Sequence, residues 1–167
     1  MNDRLENMRQ AITAMNQGSP HARALGIETI SIGPEGSVLR AAYKPEMVGD
    51  PDTGVIAGGV VTALLDHACG QAVHTALEQF MTIATLDLRI DYLRAAETGH
   101  DLVAMAECYK LTGNVAFVRG SAWDRDAADP FASMLATFML VGPLRPDAWQ
   151  RAVAKGEEAL GRPKDPA

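Results

Sequence analysis

The sequence predicts an α+β domain in which an antiparallel sheet wraps one long buried helix. From Gly58 to about Leu77 the pattern is helical, with apolar residues on most sides, so this helix should be enclosed by other structure. Two strand-like segments precede it and four follow it, with turn signals between them. There is no internal repeat, low-complexity block or second domain boundary.

Residues 2–17 place Leu5, Met8, Ile12 and Met15 at helical spacing and end at Gly18-Ser19-Pro20, which predicts an amphipathic N-terminal helix. Ile27 to Ile32 and Val38 to Tyr43 read as strands around the turn Gly33-Pro34-Glu35-Gly36. Lys44 to Ile56 holds two prolines and two glycines and reads as a loop. After the long helix come strands over Thr82–Leu93, Asp101–Leu111, Val115–Trp123 and Phe131–Val141. In the first of these, Leu86, Leu88, Ile90 and Tyr92 share one face, and Asp87, Arg89 and Asp91 the other. Thr112-Gly113-Asn114 makes a tight connection. Pro143 and Pro146 close the sheet, Asp147 can N-cap a last helix through Leu160, and the tail frays. The division is an N-terminal extension over 1–20, a main domain over 21–142, and a helix with tail over 143–167.

At 167 residues the chain suits one domain that needs no disulfide or metal staple. The net charge of −6 argues against nucleic acid or an anionic membrane as partner. MNDRLENMRQ lacks the apolar core of a signal peptide, and no apolar run is long enough to span a membrane. Cys69 and Cys108 have no metal-ligand spacing, so no metal site and a reduced, cytoplasmic setting are expected.

Chemistry concentrates between Gly49 and Val73. A polar loop runs through Gly58-Gly59 into the long helix, whose start offers free N–H groups to a ligand oxygen. Asp66 is the lone carboxylate on that helix; a buried unpartnered acid costs roughly several kcal/mol, and a catalytic or ligand-binding role is one candidate to compensate that cost. It suits a nucleophile or a general base on water, while Gly58 N–H polarises a carbonyl. Gly59, Thr62, Ala63, Cys69 and Gly70 form a stripe of small residues that leaves room for a ligand or for close packing. The structural alternative pairs Asp66 with Arg89 or another base. His67 points roughly 100° away from Asp66, which suits packing or solvent. His21, His74 and His100 read as structural or exposed, and Cys69 as a small buried hydrophobe. Asp50 and Asp52 read equally as loop caps or site residues.

From Leu25 to Leu140 the chain resembles the hotdog-fold thioesterases of the phenylacetate-pathway, PaaI-like family. That family's site segment has an Asn-containing loop, Gly-x-x-His-Gly-Gly, and an acid nine residues after the His. Asp50, Gly54, Ala57, Gly58, Gly59 and Asp66 occupy those places here. TIATLDLRIDYLRAAETG and TGNVAFVRGSAWD resemble its later strand and hairpin. The departures are Ala57 for His, Asp50 for Asn, and Asn114 for a basic residue near the coenzyme.

The resemblance implies an acyl-CoA thioesterase using water and no cofactor, with Asp66, Gly58 and Thr85 catalytic. Asp50, Ala57, Gly59 and Thr62 would then line the substrate site. Gly58 and Asp66 stand about 12 Å apart along one helix, so one carbonyl cannot reach both. An antiparallel helix from a second subunit would complete the site, and the resemblance implies a homodimer or a dimer of dimers. Other readings are a hotdog protein that binds acyl-CoA without cleaving it, kept open by Ala57, and a hotdog dehydratase or hydratase, which needs a His beside the acid.

Overall fold

The computed structural model describes residues 11–12 and 19–143. The helices expected over 2–17 and 147–160 lie outside the described residues, except that Ala11 and Ile12 are helical and Ile12 is buried. A short helix that the sequence reading omitted spans Pro20–Leu25. Ser19 caps it by accepting from Ala22 N–H, Pro20 opens it, and Gly26 closes it at φ 62°. Ser19-Pro20 therefore starts a helix here instead of merely ending one.

Among the described residues eight strands follow in chain order: β1 Ile27–Gly33, β2 Gly36–Ala41, β3 Val48–Asp50, β4 Val55–Ile56, β5 Met81–Tyr92, β6 Leu102–Leu111, β7 Val115–Trp123 and β8 Ala132–Pro143. Six form one antiparallel sheet in the order β1-β2-β6-β7-β8-β5. β3 and β4 make a separate ladder inside the segment read as a loop, beside a 3-10 turn at Pro45–Met47. They are too short to carry a periodic signal. Strand β8 also runs through Pro143 instead of stopping before it.

At the β1–β2 turn Gly36 has φ 119°, and a Cβ there would stand 1.9 Å from the Ala106 carbonyl oxygen. Only glycine fits so close a backbone approach.

The central helix, Gly58–Ala76, touches all six strands of the main sheet. The strand faces beneath it are rich in alanine, with Ala104, Ala106, Ala116, Ala122, Ala132 and Ala136 all buried. Small side chains let the helix settle deep into the sheet, and Leu64, Leu65, Val73 and Phe131 fill the remaining space. The enclosure is incomplete. Gly58, Gly59 and Thr62 are exposed and Asp66 and His67 only half-buried, so one face of the helix stays open. On β5, Leu88 and Ile90 are half-buried as expected, but Leu86 and Tyr92 are 52% and 53% exposed. A register shift between Thr85 and Asp87 interrupts the alternation, and β5 is an edge strand.

One ion pair ties the β5–β6 connection to the end of β7. Arg94 donates to both carboxylate oxygens of Asp124 at 2.7 Å, and Glu97 N–H adds a third bond at 2.8 Å. The Asp124 side chain is fully buried. The Arg94 hydrogen bonds, outweighing burial, hold its carboxyl well below the usual carboxylate range. A depressed folded-state pKa means that this stability is present above the unfolded carboxylate pKa, about 3.9, and is lost as pH falls below it. Asp124→Asn should lose about 1.5–3 kcal/mol at neutral pH and flatten the acid limb of the stability profile. Urea titrations at several pH values measure both effects.

Candidate active site

The Gly49–Ile56 loop is held by its own polar groups. The Asp50 carboxylate accepts from Thr53 Oγ1 at 2.7 Å and from Asp52 N–H at 3.1 Å. Those bonds, Thr53 foremost, lower its pKa below the ordinary value. Tyr43 Oη donates to the Gly54 carbonyl at 2.9 Å, and Ala57 N–H to the Met47 carbonyl at 2.8 Å. The loop thereby delivers Ala57 as the helix N-cap, with no side-chain capping bond.

Two hydroxyls fix the first turn of the helix. Thr62 Oγ1 and Tyr92 Oη donate to the Gly58 carbonyl at 3.0 and 3.2 Å. Tyr92 thus positions the helix start from the end of β5. The N–H groups of Gly58 and Gly59 lie in the turn where no intrahelical acceptor exists. A Cβ at Gly59 would meet nothing within 4 Å, so that approach is open.

Two turns on, Asp66 is half-buried, and the premise of a deeply buried acid is replaced by a carboxylate at the mouth of a cavity. Its Oδ1 accepts from Thr85 Oγ1 of β5 at 2.9 Å. Arg89, the base considered as its structural partner, pairs instead with Asp91 at 3.0 Å. The register shift between Thr85 and Asp87 explains this: it turns Arg89, opposite Leu135, to the outer face, while Thr85 faces the helix.

The cavity, of about 310 Å³, has Ser19, Asp66, His67, Gln71, His74 and Thr85 as its polar lining. Ile12, Ile83 and Phe138 supply apolar wall. His67 therefore shares a cavity with Asp66, where the 100° separation suggested packing or solvent. Its Nδ1 lies 3.0 Å from the Ala63 carbonyl oxygen. That oxygen can only accept, so Nδ1 carries the hydrogen and Nε2 is left as the proton-accepting nitrogen of the neutral ring. His74 is buried, and burial lowers its pKa to about 4. Cys69 is buried as expected, and its thiol is pushed far up by burial and then by Asp66, so it carries no nucleophilic thiolate. His100 sits on the surface beside Arg125 and Glu97. Among the described residues no group of His, Cys, Asp and Glu has the arrangement to hold a metal ion. No helix of the described residues is long and apolar enough to cross a membrane.

Of the residues singled out in sequence, Asp66 and Thr85 meet directly, and Ala57, Gly58 and Gly59 adjoin at the helix start. The Asp50 carboxylate and the Thr62 hydroxyl are turned onto nearby loop and helix groups. His74, read as structural or exposed, is buried and lines the cavity, while Gln71 and Tyr92 were not named as site residues. For Gln71 and His74 the available signal was their spacing on one side of the helix from His67.

A family model described as the thioesterase superfamily matches residues 53–130. The chain is 36% identical to a Pseudomonas aeruginosa protein of known crystal structure, over 79% of this chain and 98% of that one, with a TM-score of 0.72. The E. coli PaaI protein from the phenylacetic acid degradation operon is 21% identical, over 83% of this chain and 96% of that one. Its TM-score of 0.71 speaks for the fold. A provisionally assigned esterase of Halobacterium salinarum is 35% identical over 80 residues, 46% of this chain and 52% of that protein. The chain thus spans about half the length of this curated relative. With its six-stranded antiparallel sheet around one long helix, the chain belongs to the thioesterase superfamily and has the hotdog fold.

Proposed function

We propose that this chain is an acyl-CoA thioesterase, hydrolysing its substrate by Asp66-assisted attack with the carbonyl polarised at the helix start. The observation that carries the reading is the Asp66–Thr85 hydrogen bond at the cavity wall. The Thr85 hydroxyl occupies Oδ1 and orients the carboxylate, which leaves Oδ2 to take a proton from an attacking water. Direct attack by Asp66 followed by hydrolysis of the resulting anhydride uses the same geometry. In either route negative charge grows on the carbonyl oxygen, where the Gly58 N–H at the positive end of the helix stabilises it. The carbon–sulfur bond breaks, and the leaving thiolate takes up a proton. Water is the only co-reactant, so the reaction needs no cofactor or metal.

The distance along the helix favours a homodimer as the working unit, with Gly58 of one chain serving Asp66 of the other. Strand β5 supports this reading. Among the described residues it pairs with β8 on one side only, and Leu86, Tyr92 and Leu93 stand exposed along or just beyond it. Such an edge favours pairing with a second copy. A dimer of dimers is the further assembly proposed. Acyl thioesters and the chain itself are the partners, and a coenzyme A substrate places the enzyme in the cytoplasm.

The test is a panel of aromatic and aliphatic acyl-CoAs assayed for free thiol. Release from at least one, at a rate well above buffer hydrolysis, is expected. Tight binding without release would make the chain an acyl-CoA-binding module, the reading that Ala57 favours by placing no imidazole at the helix start. A hydratase reading draws on His67, which brings an imidazole into the cavity of Asp66. Loss of enoyl-CoA absorbance without thiol release would select it.

A further inference from the structure

Beyond Asp66 the cavity has a second polar wall that hydrolysis does not use. Gln71 and His74 line it and are only 6% and 5% exposed. The helical rise places them roughly 8 and 12 Å past Asp66 along the helix. Gln71 Oε1 accepts from Thr29 Oγ1 at 3.1 Å, which makes Nε2 the free end of the carboxamide. That Nε2 and His74 Nδ1 are both buried without a hydrogen-bond partner among the described residues. A buried polar group left unpaired costs about 1–3 kcal/mol, and native interiors contain few of them. Two such residues in one cavity lining, together with the apolar Ile83 and Phe138, mark a place where an occupant supplies the missing partner.

We propose that Gln71 and His74 form a subsite for a hydroxyl group at the far end of the acyl chain. Its oxygen accepts from Gln71 Nε2, and its hydrogen is donated to His74 Nδ1. The inference rests on the thioesterase reading and names the substrate class for it. A neutral ring can present Nδ1 as a lone pair, and burial keeps His74 neutral near pH 7. A hydroxyl both donates and accepts, so it satisfies both atoms. A methyl end would leave both unpaired, and a carboxylate would bring an uncompensated charge into the cavity.

Matched coenzyme A thioesters test this: hexanoyl and octanoyl chains, each with and without a terminal hydroxyl. In the wild-type protein kcat/KM should be at least about tenfold higher for the hydroxylated member of the better-fitting pair, the equivalent of about 1.4 kcal/mol. Gln71→Leu and His74→Phe should each bring that ratio toward unity. Calorimetry with non-hydrolysable versions of the same pair should show the same preference without turnover. Equal kcat/KM within both pairs, or a preference for the plain chains, would overturn the subsite while leaving the hydrolase reading in place. If no thiol is released from any substrate, the hydrolase reading fails and calorimetry alone decides the subsite. A hydroxyl preference there upholds it, and equal affinities sink it.

Discussion

Asp66→Asn is expected to lower kcat by about 100- to 10,000-fold, the range for loss of a positioned general base. The amide is nearly isosteric and still presents an oxygen to Thr85 Oγ1, so the half-buried site should keep its shape. KM should change little, because the carboxylate acts on the attacking water more than on the bound acyl group. Thr85→Ala is the graded companion. It removes one hydrogen bond to a charged group, worth about 1.5–3 kcal/mol, and should slow hydrolysis more than it weakens binding of a non-hydrolysable analogue. Thiol release at saturating substrate, with circular dichroism to verify the fold, measures both. Turnover near the wild-type level in folded Asp66→Asn would remove this residue from the mechanism.

Mixed dimers should regain activity that neither parent has. One parent carries Asp66→Asn. The other carries Gly58→Val, whose Cβ would stand 3.2 Å from Tyr92 Oη and disturb the first helical turn. If the site is shared, each heterodimer has one intact combination of Gly58 and Asp66. Free exchange makes half of the dimers mixed, so activity should recover to roughly a quarter of the wild-type level per chain. The homodimer expectation is checked separately by sedimentation. Exchanged, folded heterodimers that stay as inactive as their parents would show that Gly58 and Asp66 do not cooperate across two chains.

The sequence by itself determined the architecture and the location of its chemistry. Hydrophobic periodicity and turn residues report locally, so the central helix and the six strands of the main sheet were legible to within one or two residues at most ends. Asp66 stood out because a single acid among Val61, Leu64, Leu65 and Ala68 breaks a local pattern. The β3–β4 ladder did not stand out, because strands of three and two residues have no period to read. The environment of each site residue was decided only by tertiary structure. Thr85 reaches Asp66, and Arg89 does not, because the register shift between Thr85 and Asp87 turns to opposite faces two residues that an unbroken strand would keep on one. Spacing shows that His67, Gln71 and His74 share a side of the helix. Whether that side meets a packed strand or a cavity depends on residues as distant in the chain as Ile12, Ile83 and Phe138, and no local pattern encodes that meeting.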